Sequence, residues 1–600
     1  MSGPVKSALA RVAALAGITV LIGAIPWLAH RDPALTVLRA LYPDREPDPE
    51  ALAEIRADLG LDRGPLGALA DWLAGLLRGD LGTSWVTGRA VGEDLWPALG
   101  TSLVLMGTAI LVALAIAAAF SVRPLRRAAT GHDAPSSGIG LGLLVSLPEF
   151  AIAALGVAVF ASWLGWLPAY GYGSADTAIL PALALGIPAG GVLSRLCRDG
   201  IAQAAGEEWV RQWRSEGIPS TDIQRALAKR ALPPLVPQVG VMSVALTGGA
   251  VAVETVFAVP GLGREALRAA EAQDLPALQA AMLILVLLGF ALGAAARLGG
   301  ALWEGRAARE APVAVAAARG HSPRAARLWF AFSAPVLAAV VLAGAFRDPD
   351  ALHTGRRLAP PSAEFPLGTD QLGRDVLARI AHGAAWTIGA ALIAAVAVFL
   401  IALALGFAPR LAHPLAESLN SFPMALAGVL VAVVLGRGQA GAVIAVALVS
   451  WPPLAVHAAS LARELRRSSY MESVVALGAG RGWIAFRHTL PALVGPLSAH
   501  AAMRLPGIAL GIASLGFLGL GAGVDSPEWG TMLSQTLPYV DRAPLSVLAP
   551  VAAMAAFTLA TLAALPMARR LPRPRFTARI PTPRKESAPR SKPEYIFTPE

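Results

Sequence analysis

Twelve stretches of this 600-residue chain run for eighteen residues or more without an aspartate, glutamate, lysine or arginine, far more than a soluble core can hold. They cover residues 12–30, 95–122, 150–175, 177–194, 231–253, 275–296, 328–346, 380–409, 418–436, 438–462, 505–524 and 543–568. Each suffices for a hydrocarbon core about 30 Å thick, which takes roughly 20 helical residues. Inside lipid no water serves the backbone amides, so such runs must be helices. The expected fold is an all-α integral membrane protein of about twelve transmembrane helices, in two pseudo-symmetric six-helix halves. The composition agrees, with 55% hydrophobic and 15% charged residues.

Basic residues set the orientation. Arg123, Arg126 and Arg127 lie between spans two and three, and seven basic residues lie from Arg195 to Arg230. Arg463, Arg466, Arg467, Arg481 and Arg487 lie between spans ten and eleven, and nine more follow span twelve. If every run crosses once, all of these share the side of Lys6, which predicts cytoplasmic termini. The first run follows Lys6 and Arg11 but lacks a persuasive cleavage site after it, so it is read as a retained span. A formal charge of +10 could indicate nucleic acid, yet only four of the fifty basic residues are lysine and the arginines sit in short loops. That is a topology signal against lipid headgroups, with no nucleic acid implied. The single cysteine, Cys197, excludes a disulfide framework, and no Cys/His metal spacing occurs.

One polar stretch between apolar runs, residues 469–491 (SYMESVVALGAGRGWIAFRHTLP), predicts a helix, a bend and a second helix at the membrane surface. Glu472 is expected to face away from Val474, Val475 and Leu477, and Gly478 and Gly480 to break the first helix, because glycine enters left-handed turns at little cost. Pro491 opens the next apolar run, where its missing N–H costs nothing. Glu472, Gly478 six residues on, and the Arg487-His488-Thr489-Leu490-Pro491 ending resemble the EAA loop of ABC importer permeases. That resemblance implies docking onto an ATPase subunit.

Further motifs resemble the two permeases of the dipeptide, oligopeptide and nickel class of these importers. In residues 31–94, which carry twelve acidic and seven basic side chains, LGLDRGPLGALADWLAGLLRGDLGTSWVTGR is similar to the external region of the first permease. The loop 199–233 contains EEWVRQWRSEG, ending at Gly217 as that permease's loop does. It departs in two respects: Trp213 replaces a small residue, and Gly217 precedes Pro233 by sixteen residues where Gly478 precedes Pro491 by thirteen. Either three residues are inserted or the bend has moved. Glu254 heads ETVFAVPGLG at the external end of span five, as an interfacial charge or a gating residue. LGTDQLGRDVL looks like the partner permease's external motif, with Asp370, Arg374 and Asp375 on one turn; Asp370 and Arg374 are candidates for the gate or path, with capping of the helix as the alternative role for Asp370. SLGFLGLG and SPEWGTML resemble that permease after span five, although Ile512, which the pseudo-symmetry of spans five and eleven pairs with Glu254, stands where the family commonly carries a glutamate.

The resemblance covers about residues 8–570 and implies a fused pair of permease subunits. The expected divisions are a first half at 1–303, a cytoplasmic linker at 304–326, a second half at 327–571 and a disordered basic tail at 572–600. No Gly-Lys dipeptide occurs, so no Walker A lysine is present and the chain binds no cofactor of its own. ATP would be hydrolysed by two separate ABC ATPase subunits beneath an extracytoplasmic solute-binding protein. Peptides, nickel chelates, haem or opines are the cargo alternatives. A secondary transporter also uses internal repeats, but it usually buries coupling carboxylates that the twelve runs lack. His457 and His488 stand isolated in sequence. Arg504 breaks the apolar sequence thirteen residues beyond Pro491 and is expected to line the path or snorkel inward.

Overall fold

A computed structural model describes residues 3–28, 46–58, 64–132, 147–232, 235–303, 323–408 and 422–568, with isolated positions at 34, 35, 37, 38, 412, 416 and 419. Most of the expected linker and all of the expected tail lie outside them. The first half contains α1 (Gly3–Gly23, with a short continuation Ile25–Leu28), α2 (Pro49–Asp58), α3 (Gly64–Leu77), α4 (Val91–Ala129), α5 (Glu149–Gly156, prolonged by a π-helical stretch Val157–Trp163) and α6 (Ala175–Ala205). It continues through α7 (Glu208–Ser215), α8 (Ser220–Ala231), α9 (Val236–Val256), α10 (Leu262–Glu271) and α11 (Leu275–Trp303). The second half contains α12 (Pro323–Gly344), α13 (Val376–Phe407), α14 (Met424–Leu435), α15 (Gln439–Ser450), α16 (Pro452–Arg466), α17 (Ser469–Ala476), α18 (Arg481–Ile484), α19 (Leu490–Phe517), α20 (Trp529–Thr536) and α21 (Pro544–Ala568).

Among the described residues seven helices are long and apolar enough to cross a membrane, and α15 with α16 makes an eighth span bent by 43°. Among the described residues the twelve runs are not all uniform helices. The run at 150–175 leaves the helix after Trp163 and re-enters one at Ala175, and that at 418–436 contains the short helix Met424–Leu435. Both short helices start at a proline, Pro148 and Pro423, whose fixed φ suits the residue before a first turn. Pro452 is itself the first residue of α16, where its missing N–H lets the eighth span bend without loss of a helical amide bond.

The repeat is visible in backbone detail. Gly82 and Gly368 both have positive φ, Thr83 bridges Ala90 as Thr369 bridges Asp375, and the amides of Val91 and Val376 bond to the carbonyls of Gly82 and Gly368. At the other end of the unit α9 and α19 stop in one motif. Ala258 and Gly519 are both left-handed, and the amides of Val259 and Leu520 reach back to the carbonyls of Glu254 and Leu515. This registers Glu254 with Leu515, not with Ile512, about one turn nearer the membrane centre.

Candidate functional site

Both elbows bend at the expected glycine. Gly217 has φ +76° after α7 and Gly478 has φ +81° after α17. Their amides bond to the carbonyls of Arg214 and Val475, closing the preceding helix in the same way. Gly480 departs from expectation: at φ −69° it is the extended residue before α18, the place Pro219 fills at φ −53° before α8. The bends are thus in register, and the three extra residues of the first loop lie beyond the bend, where α8 runs for twelve residues.

The two elbows differ in what covers them. Val210, Ile223 and Leu227 pack with Ile201, Ala128 and Ala129 into a separate small core that includes the edge of Trp213. Trp213 meets Trp209 edge-on at 5.1 Å, so the large residue fills its own half. In the second elbow only Met471 and Val474 of α17 are buried. Val475 and Leu477 stay exposed, as Glu472 does, contrary to the expected division of faces, with Leu477 87% and Phe486 74% exposed. Tyr470 Oη lies 2.7 Å from Nδ1 of His488, whose ring also meets Trp483 at 4.6 Å. His488 is therefore not isolated: it ties the two arms of the bend together.

At the ends of the repeat away from the elbows each half buries one carboxylate in the same setting. Glu254, fully buried, accepts from Ser102 Oγ at 2.6 Å and from the Arg264 amide at 3.0 Å. The Leu262 amide bonds to Ser102 Oγ at 2.8 Å. In the second half Glu528 accepts from Thr387 Oγ1 at 3.2 Å and from the Thr531 amide at 2.8 Å, while the Trp529 amide bonds to Thr387 Oγ1 at 3.3 Å. Ser102 and Thr387 are each eleven residues beyond the first residue of α4 and α13. Leu262 and Trp529 both begin a helix, α10 and α20. One carboxylate so serves the orphan amides of a helix start, but it comes from α9 in the first half and from the cap residue of α20 in the second. A Cβ on Gly261 would overlap the Glu254 carboxyl, and one on Gly516 would overlap that of Glu528. Glycine and glutamate have exchanged sides. Glu254 therefore faces inward and is no interfacial charge.

Asp370 does not cap α13; Asp375 does, accepting from the Leu377 amide at 2.9 Å and pairing with Arg347 at 2.6 Å. Asp370 accepts from the amides of Leu372 and Arg374, binds Arg374 Nε at 2.8 Å and lies 3.8 Å from Arg379. Asp370 and Arg374 are buried, and Arg379 reaches the Ser526 carbonyl at 3.0 Å, which joins the segment before α13 to the loop before α20.

Arg504 lies at mid-length of α19 on the stripe Leu493, Leu497, His500, Ile508, half-buried, with its Nε enclosed and unbonded. The ring of His500, one turn away, meets His457 of α16 at 4.8 Å, so His457 also has a neighbour that sequence spacing did not show. Glu254 is engaged elsewhere, and its register with Leu515 sets it about 16 Å above Arg504. The residues the sequence passed over are Glu528 and Glu149. Glu149 had a legible signal: it stands alone between uncharged residues 134–148 and 150–175.

Comparison with known proteins gives the context for these features. The sequence profile described as binding-protein-dependent transport system inner membrane component matches twice, over residues 141–307 and 388–574. The glutathione transport system permease protein GsiC of Salmonella choleraesuis is 31% identical over 287 residues, 46% of this chain and 90% of the relative. The corresponding protein of Pectobacterium atrosepticum is 31% identical over 288 residues, 47% of this chain and 90% of the relative. The di/tripeptide transport system permease protein DppC of Pseudomonas aeruginosa is 38% identical over 211 residues, 33% and 69% of the respective lengths.

Proposed function

Because this chain belongs to the family of binding-protein-dependent transport system inner membrane components, and is a fused pair of its permease subunits, we propose that it forms by itself the whole transmembrane path of an ATP-driven peptide importer. It is a multi-pass inner-membrane protein. The observation that carries the coupling mechanism is the matched register of the two glycine bends at Gly217 and Gly478 on one chain. Two ABC ATPase subunits dock on these elbows; closure on ATP draws the elbows together, and the halves rock open beneath a loaded extracytoplasmic binding protein. Halves at 1–303 and 327–571 with both termini cytoplasmic fit this arrangement. The exposed second elbow, with Glu472 among Val475, Leu477 and Phe486, supplies the larger docking surface. The purified transporter is expected to contain one copy of this chain with two ATPase copies, measured by native mass spectrometry. Two copies of this chain per particle would contradict the fused-pair arrangement.

Arg504 is the path residue for anionic cargo groups in this reading. A charge at mid-span costs at least about 2.5 kcal/mol on insertion scales, and no acidic partner lies within ion-pairing distance among the described residues. Arg504→Gln is expected to lower uptake of free-carboxylate peptides several-fold relative to their amides, while assembly and basal ATPase activity persist. Equal loss for both cargo forms would leave Arg504 a packing residue.

A further inference from the structure

Glu149 has no role in the coupling scheme above, and its surroundings give it one. It is the first residue of α5 and packs against Gly249 of α9, where a Cβ would overlap its Oε1. Gly249 is seven residues from the external end of α9 and thirteen from its start, so the carboxylate lies about 10 Å below one end and about 20 Å from the other. That level is where the halves meet. Phe150 stacks on Phe517 of the second half at 5.2 Å, and a methyl on Gly248 would lie 3.6 Å from Pro423 Cβ. The second half repeats the element: Pro423 precedes Met424 as Pro148 precedes Glu149, and Met424 packs on Gly511 of α19. Two proline-started helices thus begin at mid-depth, side by side, one bearing a carboxylate and the other a thioether.

Among the described residues no lysine, arginine or histidine ion-pairs with Glu149 and no other residue hydrogen-bonds its side chain. The group is half-buried. An ionised carboxylate offers only acceptors, and one at mid-depth marks a site for a cation. A metal needs several ligands, and no group of three His, Cys, Asp or Glu side chains lies together among the described residues. A primary ammonium, with three donors on one atom, needs one carboxylate and room.

We propose that Glu149 is the cation-recognition residue of the path, receiving the ammonium group of cargo as it passes between the halves; this rests on the peptide-importer reading. The test uses the complete transporter with its ATPases and binding protein in proteoliposomes. Uptake of tri-alanine, N-acetyl-tri-alanine and N-acetyl-Ala-Lys-Ala is compared for wild type, Glu149→Gln and Glu149→Asp. The binding protein is the same in all arms, so a changed cargo ratio reports the path. Glu149→Gln is expected to shrink the preference for free over acetylated tri-alanine roughly tenfold, the scale of one charge-assisted hydrogen bond, with assembly and basal ATP hydrolysis retained. Glu149→Asp should keep the preference. Rescue of acetylated cargo by the internal lysine would extend the site to side-chain ammonium groups; no rescue would restrict it to the α-amino group. An unchanged ratio in Glu149→Gln, with wild type still importing peptide, overturns the assignment alone. Absence of peptide uptake by wild type overturns the importer reading and the assignment with it.

Discussion

Gly478→Val is expected to insert and fold in the membrane yet lose uptake by more than tenfold. At φ +81° a β-branched residue is strained by about 1–2 kcal/mol or more. Strain of that size is borne where packing over-determines the backbone, but α17 buries only Met471 and Val474. The bend is therefore expected to relax, misplacing Glu472, Leu477 and Phe486 for the ATPase. Gly480→Ala provides the contrast: φ is −69°, nothing lies within 4 Å of a new Cβ, and Pro219 fills the matching place. Its uptake should stay within a factor of two. Proteoliposome uptake and ATPase co-purification measure both, and wild-type uptake by Gly478→Val would remove the bend from coupling.

Glu528→Ala should produce the largest loss of stability, on the order of 3 kcal/mol, because the buried amides of Gly530 and Thr531 lose their acceptor. In the first half Glu254→Leu should act likewise, stripping the Arg264 amide and Ser102 of theirs. The exchange of sides makes a repair possible. Glu254→Leu with Thr255→Gly and Gly261→Glu rebuilds the second half's arrangement, since Leu515, Gly516 and Glu528 hold the matching positions. The Thr255→Gly change is required because the carboxylate would occupy the space of its Cβ, as it does at Gly516. The triple variant should recover most of the melting temperature that Glu254→Leu loses in detergent. A triple variant no more stable than Glu254→Leu would mean that the two carboxylates do different work.

The charge-free runs, the basic loops and the glycine bends at 217 and 478 were legible because each is a local consequence of composition: lipid demands apolar length, and a left-handed turn demands glycine. Together these local features specify an all-α membrane chain with a repeated elbow. Local pattern could not say where runs 150–175 and 418–436 stop being helix, since their apolar residues suit helix and irregular backbone alike. It also mis-registered Glu254 with Ile512, because only the shared stop of α9 and α19 fixes that alignment. Asp370 looked like a cap from its place before α13, but Arg374 and Arg379 draw it into a buried ion-pair group. Tertiary structure alone decided the fate of the carboxylates. Glu254 and Glu528 differ in sequence position yet serve the same helix-start amides, and Glu149 faces the seam between halves; burial and partner come from segments a hundred residues or more apart, where no local period reaches.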